Sequence, residues 1–210
     1  MPSLPTLLAF AAAALALLVI PGPSVLYIVT RSVAQGRTAG LVSVLGVHVG
    51  SVVHIVAAIL GVSALLASSA TAFTIVKYLG AAYLVWLGIQ QFRARDADPT
   101  IARDPVPRRR LFGQGVVVNV LNPKTAIFFL AFLPQFVDPA RGPAPAQLAV
   151  LGGLFILLGI LSDGGYALAA GLLARPLRTP RFRRRLRHAS GAVYLGLGVT
   201  AALSQSRTAA

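Results

Sequence analysis

Between Arg37 and Lys77 the chain carries no formally charged side chain, and the same holds from Met1 to Thr30. Uncharged runs of this length constrain the fold more than any other feature. A helix that crosses a bilayer needs about 20 mostly apolar residues. Six segments are candidates, at roughly 4–30, 40–67, 73–92, 112–137, 147–174 and 188–203. The run 38–76 is too long for one helix, and Ser68-Ser69-Ala70-Thr71 supplies a polar turn within it. With 56% hydrophobic residues, 11% charged residues and a mean hydropathy of +0.77, there is too little charge to cover a soluble surface. The expected fold is an all-α integral membrane protein, a single polytopic domain over 1–210 with six transmembrane helices. Met1-Pro2-Ser3 lacks the basic start of a secretory signal, so the first segment is expected to be retained.

The arginines set the orientation. Arg31 and Arg37 follow the first segment. Arg93, Arg95, Arg103, Arg108, Arg109 and Arg110 follow the third, and seven arginines between Arg175 and Arg187 follow the fifth. Only Arg141 and Arg207 fall on the other side. Cytoplasmic loops retain Lys and Arg, so the three basic loops are expected in the cytoplasm and both termini outside it. The same distribution explains the net charge of +14 without nucleic acid. Headgroup contact with the lipid bilayer accounts for the run Arg181–Arg187.

Two of the apolar segments are broken. One break is Pro21-Gly22-Pro23-Ser24; the other is Asn119-Val120-Leu121-Asn122-Pro123-Lys124. Lipid penalises unpaired backbone groups, so irregular backbone at membrane depth survives only where protein or a wet cavity satisfies it. Asn122 is a good N-cap and Pro123 suits a first helical position; Gly22 and Pro23 repeat the pattern, and Ser24 adds a hydroxyl. Two half-helices are expected to start there and run in opposite directions. Their positive ends, with the charge of Lys124, would suit an anion such as a substrate carboxylate.

Few other ionisable groups lie within the segments, and such groups usually face a bundle interior. Asp163 is the only acid there, and Gly159, Tyr166 and Ala170 share its helical face. It suits a proton relay or a contact to a substrate ammonium; a structural pair with Lys124 or Lys77 is the alternative. His54 shares a face with Gly46, Gly50 and Ala58, where the Gly46–Gly50 spacing permits close helix approach, within the chain or in a homodimer. It can act with Asp163 in proton coupling or serve as an interhelical hydrogen-bond donor. His48 lies off that face and receives no role. Lys77 is expected to snorkel, and Tyr83 and Trp86 to be core aromatics.

Other chemistry is excluded. No cysteine is present, so disulfides and thiolate chemistry are absent. There is no HExxH pattern and no nucleophile elbow. One buried acid gives a divalent cation too few hard ligands. Neither an enzyme nor a metal or other cofactor is expected.

The stretches PGPSVLYIVTRSVAQGRTAGLVSVLGVHVG, KYLGAAYLVWLGIQQF and FGQGVVVNVLNPKTAIFFLAFLPQFVDP resemble the LysE/RhtB family of bacterial amino-acid exporters over nearly the whole chain. The resemblance implies a six-helix inner-membrane carrier that exports amino acids, using the proton gradient. It also implies two inverted three-helix repeats, about 1–92 and 112–203, joined by a basic cytoplasmic loop of about 93–111. Pro21, Gly22 and Pro23 match its first motif; Asn119, Asn122, Pro123 and Lys124 match its second. His54, Lys77, Gly80, Tyr83 and Asp163 fall where similar sequences have comparable residues. Substrate contacts are thus expected from the two motifs with Ser24, Tyr83 and Tyr166, and proton coupling from Asp163 and His54. Having one buried acid favours homoserine, threonine or another neutral amino acid over lysine. Export of another small solute, a metal cation or a toxic metabolite, is the alternative. A non-transporting scaffold is a third class, but it gives mid-membrane helix breaks no purpose.

Overall fold

The computed structural model describes residues 1–68, eleven positions between 75 and 93, and 106–203. The described residues are helical wherever they are regular, with no strand among them. Helix α1 spans Leu4–Val19 and starts on Ser3, whose hydroxyl accepts from the Thr6 N–H. It stops at Ile20, and α2 spans Pro23–Gln35 at an angle of 52° to it. Gly36 ends α2 with φ 86°, a conformation glycine adopts without steric cost, and α3 follows at once over Arg37–Ser68.

The second broken segment repeats the first. Helix α4 spans Arg108–Val120 and α5 spans Pro123–Ile127. A π-turn over Phe128–Phe132 and a 3-10 turn over Leu133–Phe136 prolong α5. Pro134 lacks an N–H and crowds the carbonyl one turn back, which accounts for irregular winding there. The bend between α4 and Pro123–Phe136 is 51°. Helix α6 runs over Ala144–Arg178 and α7 over Pro180–Leu203.

By length and apolarity, α3 (over Arg37–Gly61) and α6 (over Ala144–Ala170) each suffice to cross a membrane. Each bent pair passes the same test as one span, giving two to four candidate spans among the described residues. Half of the third expected segment, 73–92, lies outside them, including Lys77, Gly80 and Tyr83. The sixth lies in α7, which also holds Arg181–Arg187 and falls short of the test. The basic stretch 175–187, expected as a loop, is helical except at Thr179. Arginine is a good helix former, so exposed positive charge by itself does not break a helix.

Helix α3 is the centre of the bundle, packing most extensively against α4 and α6. Against α4 it uses Gly46 and Gly50. A Cβ on Gly46 would strike the Phe112 carbonyl, and one on Gly50 would come within 2.9 Å of Asn119 Cβ and the Val116 oxygen. Gly115 answers from α4, lying against Ser43 and Val47. The close-approach face is thus used within the chain. Against α6, Gly40 meets Ala167, His48 meets Gly159, and Ile55 meets Gly152. The first set of contacts runs parallel and the second antiparallel. Arg37, Arg108 and Arg178 therefore gather at one end of the bundle.

Polar contacts lock both ends. At the basic end Tyr27 donates to the Leu111 oxygen (2.7 Å), Ser32 to the Ala167 oxygen (2.6 Å), and the Val106 N–H to Gln35 (2.8 Å). At the other end Gln147 donates to the Asp138 and Gly142 carbonyls (2.8 Å each), and Met1 reaches the Arg141 carbonyl. Outward-facing apolar residues, such as Leu157, Leu161, Leu168 and Leu172 on α6, form a stripe suited to lipid.

Candidate functional site

Both breaks lie where their capping residues put them, and they meet. Gly22 is the N-cap of α2 and Pro23 its first residue. Asn122 is the N-cap of α5, its side-chain oxygen accepting from the Lys124 N–H at 3.1 Å. Pro21 precedes the first cap, and Pro123 opens α5. The link between the breaks is Ser24. Its hydroxyl donates to Asn119 Oδ1 (3.1 Å) and accepts from Asn122 Nδ2 (2.9 Å). Two helix starts, each with N–H groups that the helix itself cannot pair, thus converge from opposite directions on one buried point.

Asn119 holds this point together. Its amide nitrogen donates to the Val47 oxygen (2.8 Å) and to Ser51 (2.9 Å); its oxygen also accepts from Thr125 (3.0 Å). With Ser24, that fills four hydrogen bonds and joins α2, α3, α4 and α5. Its backbone oxygen contacts His54 Nε2 at 2.9 Å.

Lys124 is buried, and Nζ donates to the Leu17 and Ile20 carbonyls at 2.6 Å each. These oxygens close the C-terminal end of α1, where the helix dipole favours a cation. The charge expected to stand at the helix starts is therefore turned toward the facing end of α1. Gly22 makes room for this: a Cβ there would lie 3.2 Å from Lys124 Cδ. Tyr166 on α6 donates to the Val19 carbonyl, so two side chains cap the end of α1.

The carboxylate of Asp163 sits 3.2 Å from His48 Nε2, and both residues are at least 96% buried. This changes the reading of His48, to which the sequence assigned no role. Helix α3 is buried on two sides: Gly46 and Gly50 face α4, and His48 with Ile55 faces α6. Gly159, one turn before Asp163, leaves the notch that holds the imidazole; any Cβ there would collide with the ring. His54 lies elsewhere, stacked on Phe129 with ring centroids 6.2 Å apart.

These groups surround a cavity of about 30 Å³ lined by Gly22, Ser24, His48, Asn122, Lys124 and Asp163, with Ser51, Asn119 and Thr125 beside them. That is space for about two water molecules. On the side away from the basic end, Phe10, Phe128, Phe129, Phe132, Phe136 and Phe155 form a continuous aromatic cluster, with neighbouring ring centroids 4.8–5.8 Å apart. Phe155 also lines the cavity. Of the residues expected to contact substrate, Tyr166 touches the end of α1 and Tyr83 lies outside the described residues. His48, Ser51 and Thr125 were missed. Positions 44, 48, 51 and 55 form a helical stripe that reveals two of them, but only once α3 is known to be covered on two sides. Among the described residues no cluster of His, Cys, Asp or Glu could hold a metal ion.

Long apolar helices, with two bent helix pairs meeting around one polar cavity, define a helical membrane protein. The chain belongs to the LysE type translocator family, whose model matches residues 15–205. It is 34% identical over 200 residues to an uncharacterized membrane protein of Vibrio cholerae, a match spanning 95% of this chain and 97% of that one. A homoserine/homoserine lactone efflux protein of Salmonella typhimurium is 36% identical over 179 residues, 85% of this chain and 86% of its own. A leucine efflux protein of Salmonella choleraesuis is 32% identical over 131 residues, 60% of each chain. No solved structure matches the chain.

Proposed function

We propose that this protein exports a neutral amino acid across the bacterial inner membrane in exchange for protons. The observation that carries the reading is the meeting of two oppositely directed helix starts at one cavity, with Lys124 and Asp163 both in its wall. A zwitterion needs that combination: the helix starts at Pro23 and Pro123 with Lys124 for its carboxylate, and Asp163 for its ammonium. The efflux relatives support amino-acid export. A single acid in the cavity favours homoserine, threonine or leucine over lysine, which would bring a second cation.

The reading includes six transmembrane helices in two inverted three-helix repeats. The like construction of α1–α2 and α4–α5 supports this, each a helix, a proline-started half-helix and a bend near 50°. The gathering of Arg37, Arg108 and Arg178 at one end supports a cytoplasmic basic end with both termini outside. The cavity is on the scale of water, so admitting an amino acid requires the half-helices to part.

In proteoliposomes with an imposed pH gradient, the protein is expected to move homoserine or leucine, while Lys124→Ala raises the substrate concentration for half-maximal flux at least tenfold. Unchanged affinity in Lys124→Ala would move the carboxylate site elsewhere, and absence of amino-acid flux in the wild type would end the reading.

A further inference from the structure

The contact between His48 and Asp163 has a property that the neighbouring polar groups of the cavity, Asn119, Asn122, Ser24 and Lys124, lack. Asn119, Asn122, Ser24 and Lys124 all have aligned partners. His48 Nε2 lies 3.2 Å from Asp163 Oδ2 but is not aligned as a hydrogen bond, and both His48 Nδ1 and Asp163 Oδ1 have no hydrogen-bond partner. Buried polar atoms without partners are costly, and native proteins keep them where a ligand, water or proton completes the set. Both residues line the cavity that Lys124 and the two helix starts line.

We propose that His48 and the ammonium group of the transported amino acid are alternative cations for Asp163, so that substrate binding expels one proton from His48. The proposal rests on the amino-acid reading above and supplies its coupling step.

The geometry leaves little room for both cations. The Gly159 notch holds the imidazole 3.2 Å from the Asp163 carboxylate, so an ammonium that reaches the same carboxylate comes close to the imidazole. With the cavity empty of substrate, protonated His48 balances Asp163. When the zwitterion enters, its carboxylate meets the helix starts and Lys124. Its ammonium donates to Asp163 Oδ1, the oxygen without a partner. A second cation at contact distance then repels the imidazolium, and His48 releases its proton to water on the side from which the substrate came. The balance is one neutral zwitterion in and one proton out, so the net charge of the cavity falls by one, and the added carboxylate lies against the helix starts and Lys124. On the far side the steps reverse, which is antiport. Imidazole is the side chain that exchanges protons near neutral pH.

The other groups facing His48 do not substitute for it. Lys124 on α5 is held by the Leu17 and Ile20 carbonyls, and Tyr166 on α6 by the Val19 carbonyl. Helices α2 and α4 present Ser24 and Asn119, neither ionisable, to the cavity. His54, on the same helix as His48, points to the Asn119 carbonyl.

The test is calorimetric titration of the purified full-length protein with homoserine and with leucine, from pH 5.5 to 8.5, in buffers of differing ionisation enthalpy. The expected result is release of close to one proton per amino acid bound at the acid end of that range, with affinity rising about tenfold per pH unit while His48 is protonated. His48→Gln should bind with affinity independent of pH and release no proton, and Asp163→Asn should lose binding by at least a hundredfold. Wild-type proton release stands as a measurement even if a variant fails to fold. Amino-acid binding without proton release, or proton release that persists in His48→Gln, overturns the coupling step alone. If neither amino acid binds the wild type, the exporter reading falls and this proposal with it.

Discussion

Asn119 shows how one residue can hold a membrane bundle together. A helix interior in lipid offers no water to a stray polar group, so an asparagine there must find every partner in protein. Asn119 does so through Ser24, Val47, Ser51 and Thr125. Interhelical hydrogen bonds in membranes contribute about 0.6 kcal/mol each, so losing four predicts a loss of about 2–3 kcal/mol in Asn119→Ala. Reversible unfolding in detergent checks this; a loss below about 1 kcal/mol would show the network carries little stability. The residue scale is also where the sequence is hardest to read. The N-caps at Gly22 and Asn122 are legible because capping is local chemistry between residues two or three apart. The partners of Lys124 and His48 are not, because they lie on segments distant in sequence. The sequence places the charge of Lys124 at the helix starts, whereas the side chain caps α1. His48 has no role when only one face of its helix is considered, and gains one when the second face is covered.

At the scale of elements, small residues decide how closely helices approach. Gly50 lies so near Asn119 and Val116 that Gly50→Val must push α4 away from α3 and drag Asn119 off its partners. The expected loss is about 2–4 kcal/mol, the cost of overpacking plus broken hydrogen bonds. A methyl group added to Gly153 or Gly164 on α6 would meet no atom within 4 Å, so Gly153→Ala and Gly164→Ala should leave stability within about 1 kcal/mol of wild type. Thermal unfolding of the three variants side by side separates packing glycines from spectators. The breaks and the close-approach spacing of Gly46 and Gly50 are readable from sequence. The irregular winding of 128–136 is not anticipated there, although Pro134 carries the reason for it. Nor is the helical state of 175–187, where the run of charge points to a loop.

At the scale of the molecule, the parallel packing of α3 on α4 and the antiparallel packing of α3 on α6 sort the chain into a basic end and an end nearly free of arginine. The absence of cysteine makes this directly testable, since any introduced thiol is unique. Thr38 and Ala140 are exposed at opposite ends. In intact cells with a permeabilised outer membrane, Ala140→Cys should react with a membrane-impermeant maleimide, whereas Thr38→Cys should react only after the inner membrane is opened. The reverse pattern would invert the topology and with it the direction assigned to the two half-helices.

Composition and order alone determined that this chain is helical and apolar enough for a membrane, that its arginines favour one end, and that two apolar segments break within their length. Each of these follows from hydropathy, backbone pairing or capping, and those forces act over a turn or two of chain. Only the tertiary structure decided that the two breaks meet through Ser24 and that Lys124 faces the end of α1. The same is true of the pairing of Asp163 with His48, which depends on a notch at Gly159. Such pairings are set by which helix faces pack together, and helix packing in lipid depends on shape rather than on hydropathy.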